Sequence, residues 1–185
     1  MEVTKTPCLG LQVITSQVIP DHRGYFWESY HEGKLAKLGI HNHFVQENQS
    51  FSKQGTIRGL HYQLAPYAQA KLIRVLAGEI WDVAVDLRQG APTFGQWEGI
   101  LLSGDNKKQL LVPRGYAHGF AVLSKQAIVL YKCDAFYHPA AEAGIHFLDP
   151  NLAIDWRLDG LQAIVSEKDQ HLPSFQEAIM NFTEA

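Results

Sequence analysis

Residues 79–87 read Glu79-Ile80-Trp81-Asp82-Val83-Ala84-Val85-Asp86-Leu87. Trp81, Val83, Val85 and Leu87 alternate with Ile80, Asp82, Ala84 and Asp86. The first set is apolar throughout; the second carries two carboxylates. A period of two is the signature of a strand, whose successive side chains point to opposite faces. Outward from this strand, short candidates punctuated by Gly, Pro and Asn fall at 9–15, 25–30, 43–52, 56–63, 70–76, 96–102, 109–112, 118–123 and 126–132. So many strands at close spacing predict a sandwich or barrel and not βαβ units. Helix is sparse. Residues 31–38 have room for two turns, with Leu35 and Leu38 on one side. A second helix is predicted over 174–182, with Ser174 as N-cap and Glu177 as its capping-box partner.

The chain has 185 residues, and no linker, repeat or low-complexity tract divides it, so one domain over 1–185 is expected. Lys plus Arg is 16 and Asp plus Glu is 19, a balance of −3 that argues against a nucleic-acid partner. No apolar run reaches the length of about 18 residues needed to span a membrane. The N-terminus MEVTKTPCLG lacks a basic stretch followed by an apolar one, which predicts a cytoplasmic protein. Cys8 and Cys133 are too few for a disulfide scaffold and are expected to be free thiols.

Two histidines stand beside glycines at strand-like positions, where a ligand can approach the backbone closely. They are His61, in Thr56-Ile-Arg58-Gly-Leu-His61-Tyr-Gln63, and His118, in Pro113-Arg-Gly115-Tyr-Ala-His118-Gly-Phe. The Pro-x-Gly-x-x-His stretch resembles the second motif of the cupins, a jelly-roll superfamily. Metal-binding cupins carry His-x-His and a carboxylate in their first motif. Here Gln63 takes the second histidine's place and Lys71 follows downstream. An amide is a poor ligand for zinc or iron, and an ammonium repels a divalent ion. A metal-free site with a histidine base and a lysine cation is therefore expected. Such a pair suits proton removal beside a ketone: imidazole takes the proton, and the cation meets the enolate oxygen. Lys71 shares parity with Ile73 and Val75, which predicts that it points inward, where it needs a partner. Gln46, Asn48 and Ser50 form a polar face that is either a binding surface or the wet side of a sheet. Arg58 and His61 are three apart and fall on opposite faces unless Gly59 forms a bulge.

In order along the chain come Arg23-Gly-Tyr-Phe26-Trp-Glu28, Gln46-Glu47-Asn48-Gln-Ser50, Thr56-Ile-Arg58-Gly-Leu-His61-Tyr-Gln63 and Ala70-Lys71-Leu72. Then follow Gly78-Glu-Ile-Trp-Asp82-Val-Ala-Val-Asp86-Leu-Arg88, Pro113-Arg-Gly-Tyr-Ala-His118-Gly-Phe, Tyr131-Lys132 and Ser166-Glu-Lys168-Asp169. This set, spread over residues 20–173, resembles the dTDP-4-dehydrorhamnose 3,5-epimerase family. The resemblance implies a mainly β, cupin-like jelly roll of two antiparallel sheets with a few short helices. It implies a homodimer without metal or cofactor, acting on a dTDP-sugar, dTDP-4-dehydro-6-deoxy-D-glucose, at C3 and C5. His61 would be the base, Asp169 its dyad partner, Lys71 the enolate stabiliser and Tyr131 the acid on the opposite face. Arg23, Glu28, Gln46, Glu47, Asn48, Arg58, His118, Glu142 and Lys168 would hold the nucleotide, with Phe26 and Tyr137 sandwiching the thymine. Arg157 and Leu148 depart from the family pattern, away from these positions. Three alternatives differ in outcome: an epimerase of another dTDP-deoxysugar, a non-catalytic sugar-nucleotide-binding cupin, and a metal-dependent cupin. Retention of base, lysine and tyrosine speaks against the second; Gln63 and Lys71 speak against the third.

Overall fold

The computed structural model describes residues 1–183. In chain order the strands are β1 (Glu2–Lys5), β2 (Gln12–Thr15), β3 (Val18–Asp21), β4 (Gly24–Trp27), β5 (Gln46–Lys53), β6 (Ile57–Gln63) and β7 (Lys71–Ala77). They continue as β8 (Glu79–Asp86), β9 (Trp97–Ser103), β10 (Gln109–Val112), β11 (Tyr116–Val122), β12 (Gln126–Cys133) and β13 (Glu142–Gly144). Two short helices, α1 (Glu32–Lys37) and α2 (Glu167–Gln170), complete the set. A six-stranded sheet ordered β1-β2-β10-β7-β12-β5 faces a five-stranded sheet ordered β13-β6-β11-β8-β9, and β3-β4 forms a separate hairpin. Neighbouring strands pair antiparallel throughout. This is the mainly β, cupin-like sandwich that the sequence implied. No helix among the described residues is long and apolar enough to cross a membrane.

The interior between the sheets is filled by Ile73, Val75, Leu110, Val112 and Val129 from the larger sheet. Ile80, Ala84, Phe120 and Val122 meet them from the smaller one. Strand β8 is buried on both faces. Its all-apolar set, Trp81, Val83, Val85 and Leu87, does not face this interior. It packs outward under Phe147, Leu152, Trp156 and Phe182 of the C-terminal segment. The carboxylate-bearing set faces inward, and each of its charges has a partner. Asp86 accepts from Arg88, Thr93 and Tyr116, and Asp82 accepts from His118. Pairing of this kind is what makes a buried carboxylate tolerable. The three tryptophans of the outer core also satisfy their indole N–H groups. Trp81, Trp97 and Trp156 donate to the carbonyls of Asp155, Leu152 and Phe147.

Helix α1 forms where predicted, with the His31 side chain accepting from Lys34 N–H and Leu35 buried. Leu38 does not share its face: it lies at the C-cap and is 40% exposed. The helix lies on the outer face of the larger sheet, where Leu35 and Ile40 meet Ile14, Leu72 and Leu111, while the β3-β4 hairpin is mostly exposed and meets that face through Trp27 under Arg74.

The helix expected over 174–182 is absent. One half of a capping box does form, with Glu177 Oε2 accepting from Ser174 N–H at 3.3 Å, but the chain makes one turn and then extends. Tertiary bonds claim its backbone: Tyr62 donates to the carbonyl of Ile179, and Gln89 N–H to that of Phe182. Packing thus overrides a local helix signal, as it does routinely for short helices. Cys8 and Cys133 are both free and buried.

Candidate active site

Strand β6 carries the bulge that Gly59 suggested. His61 pairs with His118, but Arg58 pairs with Phe120, so two residues of β6, Gly59 and Leu60, oppose one of β11, Gly119. Gly59 has φ +115°, and a Cβ there would lie 2.6 Å from the Gly119 Cα, so only glycine fits. The extra residue brings Arg58 and His61 to the wall of one cavity of about 450 Å³. It also exposes the Gly59 N–H, which donates to Asp169 Oδ2 at 3.2 Å.

The other oxygen of Asp169 lies 2.7 Å from His61 Nε2. A carboxylate only accepts, so Nε2 is the protonated nitrogen and Nδ1 is left to take a proton. Asp169 reaches this place because α2 begins at Ser166, whose hydroxyl accepts from Asp169 N–H at 3.1 Å. Burial alone would raise the Asp169 carboxyl. The hydrogen bonds from His61, Gly59 and Ser166 outweigh it and hold the group below the ordinary aspartate range.

Lys71 and Tyr131 come from the facing sheet, on β7 and β12. Lys71 points inward with Ile73 and Val75, as its parity predicted. Among the described residues it forms no salt bridge. Burial pushes its ammonium below the ordinary lysine value, opposed by Cys133, Asp82 and Glu142. Tyr131 is pushed upward, first by burial and then by Cys133, so it keeps its proton at neutral pH. A deeper recess of about 230 Å³ is lined by Ser50, Arg58, His61, Lys71, His118 and Tyr131. His118 is buried, and its Nε2 lies 2.9 Å from Asp82 Oδ1.

Toward the mouth, the polar face of β5 proves to be cavity wall: Gln46, Asn48 and Ser50 all line it. Gln46 Nε2 donates to Asn48 Oδ1 at 3.1 Å, and Gln46 Oε1 accepts from Tyr137 N–H at 2.9 Å. The Tyr137 hydroxyl donates to Glu142 at 2.8 Å, and Lys168 pairs with Glu142 at 2.6 Å. Burial would raise Glu142, but Lys168 and Tyr137 together hold it below its ordinary value. Lys168 also edges an adjoining cleft of about 490 Å³ shared with Arg58, His61, Ser166 and Asp169.

Four residues named from sequence lie elsewhere in this chain. Glu47 alternates with Gln46 and Asn48, so it points out of the sandwich and pairs with Lys132 at 2.5 Å. Arg23, Phe26 and Glu28 belong to or follow the β3-β4 hairpin. Trp27 of this hairpin lies under Arg74, whose parity is opposite to that of Lys71. The hairpin is therefore on the far face of the sheet from the cavity. Arg23 pairs with Asp21, Glu28 with Lys34, and Phe26 is 66% exposed. Beyond the residues that the family resemblance implied, Gln49, Ser50, Tyr62, Gln63 and Gln69 line the cavity. Asp82, one of the two carboxylates on the inward face of β8, is the residue that holds His118.

The arrangement is suited to carbon-acid chemistry. A carboxylate-backed imidazole and a protonated phenol come from facing sheets, and a buried ammonium lies at the same cavity. Among the described residues, no cluster of three His, Cys, Asp or Glu side chains is arranged to hold a metal.

A family model described as dTDP-4-dehydrorhamnose 3,5-epimerase matches residues 5–177. A protein of that name from Pseudomonas aeruginosa is 45% identical over 179 residues, covering 96% of this chain and 98% of the relative. One from Methanothermobacter thermautotrophicus is 44% identical over 174 residues, 94% of each chain. The crystal structure of a dTDP-6-deoxy-D-glucose-3,5-epimerase from Legionella pneumophila, in complex with dTDP-4-keto-L-rhamnose, is 46% identical. It superposes with a TM-score of 0.95 over 100% of this chain and 99% of that one.

Proposed function

The chain belongs to the dTDP-4-dehydrorhamnose 3,5-epimerase family, and from that premise we propose that it inverts C3 and C5 of dTDP-4-dehydro-6-deoxy-D-glucose. The product is dTDP-4-dehydro-L-rhamnose, and residues 1–185 act as one epimerase domain. The observation that carries the reading is the His61–Asp169 pair opening onto the same cavity as Lys71 and Tyr131. His61 Nδ1 takes the proton from the carbon beside the C4 ketone. Asp169 keeps the other nitrogen protonated and stabilises the imidazolium that forms. The enolate oxygen is met by the Lys71 ammonium, a buried charge that acts with little screening. Tyr131 returns a proton from the opposite face. Inversion demands removal on one side and delivery on the other, and supply of the two groups by facing sheets supports that division. Arg58 and Lys168 suit the pyrophosphate, and Tyr137 suits the thymine.

The hairpin that carries Arg23, Phe26 and Glu28 supports a homodimer. These residues lie across the sheet from their own cavity, so they serve a nucleotide only if a second subunit presents them. Light scattering on the purified protein tests this part: a monomer at assay concentration would refute it.

The reaction is tested by incubating the protein with the 4-dehydro sugar nucleotide in deuterated water and following C3 and C5 by NMR. Deuterium at both carbons, with inverted product, is expected. Deuterium at C3 alone would make the protein a monoepimerase; no exchange would make it a binding protein. Activity is expected to survive exhaustive chelation, and restoration of a lost activity by zinc, iron or manganese would overturn the metal-free reading.

A further inference from the structure

Gln63 occupies the place where a metal-binding cupin carries its second histidine, yet the mechanism above leaves it without work. The residue is 5% exposed, and its carboxamide bonds to backbone through both ends. Nε2 donates to the carbonyls of Tyr67 at 2.7 Å and Phe136 at 3.4 Å, and Oε1 accepts from His138 N–H at 2.7 Å. Two of these three contacts bracket Tyr137: the carbonyl just before it and the amide just after it. The remaining amide, that of Tyr137 itself, is held by Gln46. Register adds a further tie, because Gln63 lies opposite Glu142 in the β6-β13 ladder, and Glu142 receives the Tyr137 hydroxyl. The Tyr67 carbonyl that Gln63 holds brings the Tyr67 ring onto His138, stacked at 3.7 Å. Tyr137 is 50% exposed, and hydrogen bonds at its amide and hydroxyl hold it in place.

We propose that Gln63 is a positioning residue: its amide locks the 136–138 backbone so that Tyr137 stands as a preset aromatic wall for the nucleobase. The inference rests on the reading of Tyr137 as a base-contacting residue. Its physical basis is preorganisation. A wall already fixed in the free protein loses less freedom when the ligand arrives, and the saving appears in affinity. The chemistry at His61 is untouched, so the effect belongs in KM and not in kcat.

The test is a double-mutant cycle on dTDP affinity by calorimetry, joined to steady-state kinetics. Gln63→Leu keeps similar bulk and removes all three hydrogen bonds. It is expected to weaken dTDP binding and raise KM by about tenfold while kcat stays within about twofold. In a Tyr137→Ala background the same change is expected to add almost nothing, because the wall it positions is gone. A tenfold loss that persists in that background would overturn the inference, as would a fall in kcat with KM unchanged. Tyr137→Ala with normal dTDP affinity would sink the base-contact reading and this inference with it. Weakened binding in Tyr137→Ala beside normal binding in Gln63→Leu would sink the inference alone. Should Gln63→Leu fail to fold, Gln63→Glu runs the same cycle, since it keeps the shape and the acceptor while losing both donated bonds.

Discussion

Among the described residues, two histidine–aspartate pairs have nearly identical chemistry and opposite setting. His61 and Asp169 meet at 2.7 Å with side chains 31% and 5% exposed, whereas His118 and Asp82 meet at 2.9 Å with side chains 8% and 0% exposed. The first pair joins a strand to a helix far along the chain, and both carboxylate oxygens are used, one by the imidazole and one by Gly59 N–H. The second is built into adjacent strands, β8 and β11, and leaves Asp82 Oδ2 without a hydrogen-bond partner. The difference teaches that a dyad is not a function. The pair at the cavity wall can exchange a proton with a ligand. The second pair lies deeper, where His118 closes the recess behind His61 and is nearly shut off from solvent, so Asp82 serves to hold its ring in place.

The largest effect separating the two pairs is expected from His61→Ala. Deuterium exchange at both carbons should fall by about 10²–10⁴ while dTDP affinity stays near normal. Near-normal exchange at either carbon would remove His61 from the base role. Next comes Asp169→Asn, which keeps the shape but loses the charge behind the imidazole. A fall in kcat of roughly 10² is expected, with only a small change in melting temperature, because water can solvate the partly exposed ring.

Asp82→Ala should show the reverse balance. It strands a buried imidazole N–H, at a cost of about 1–3 kcal/mol. Thermal unfolding should register it as a loss of roughly 2–4 °C per kcal/mol for a chain of this size. If Asp169→Asn destabilises as strongly as Asp82→Ala, the contrast between the pairs collapses.

Tyr131→Phe should separate the two carbons. Product inverted at C5 is expected to drop by about tenfold or more, and deuterium at C3 by much less. Other phenols are poorly placed to rescue it. Tyr116 donates to Leu9 O at 2.8 Å, Tyr62 to Ile179 O at 2.8 Å and Tyr137 to Glu142 at 2.8 Å. Equal losses at both carbons would recast Tyr131 as a group that orients the sugar.

The smallest effect is a pH dependence of stability. Asp169 titrates below its ordinary range when folded. A depressed folded value stabilises the native state above the unfolded pKa of about 3.9, and that contribution is lost as pH falls through the folded value. The stability gap between wild type and Asp169→Asn should therefore narrow below about pH 4 in denaturant titrations. A gap that widens toward acid would mean that the carboxylate is not held by these bonds.

Much of this architecture could be read without coordinates, because a strand's period of two is set by backbone geometry one residue at a time. Alternation located β8 and put Lys71 on an inward face with Ile73 and Val75. A three-residue offset beside a glycine announced the bulge that brings Arg58 and His61 to one wall. What parity cannot say is which of two faces meets which neighbour. The all-apolar side of β8 packs under the C-terminal segment, and the carboxylate side faces the sandwich. That choice depends on partners such as His118 and Arg88, which become neighbours only when the sheet forms. The same limit explains the missing helix at 174–182, where long-range bonds outweigh a correct local cap. It also explains why hairpin β3-β4 lies across the sheet from the cavity. Asp169 is the clearest case: 108 residues separate it from His61. The motif Ser166-Glu-Lys168-Asp169 tied it to His61 through the family resemblance alone, and only the folded chain brings the two within hydrogen-bonding distance.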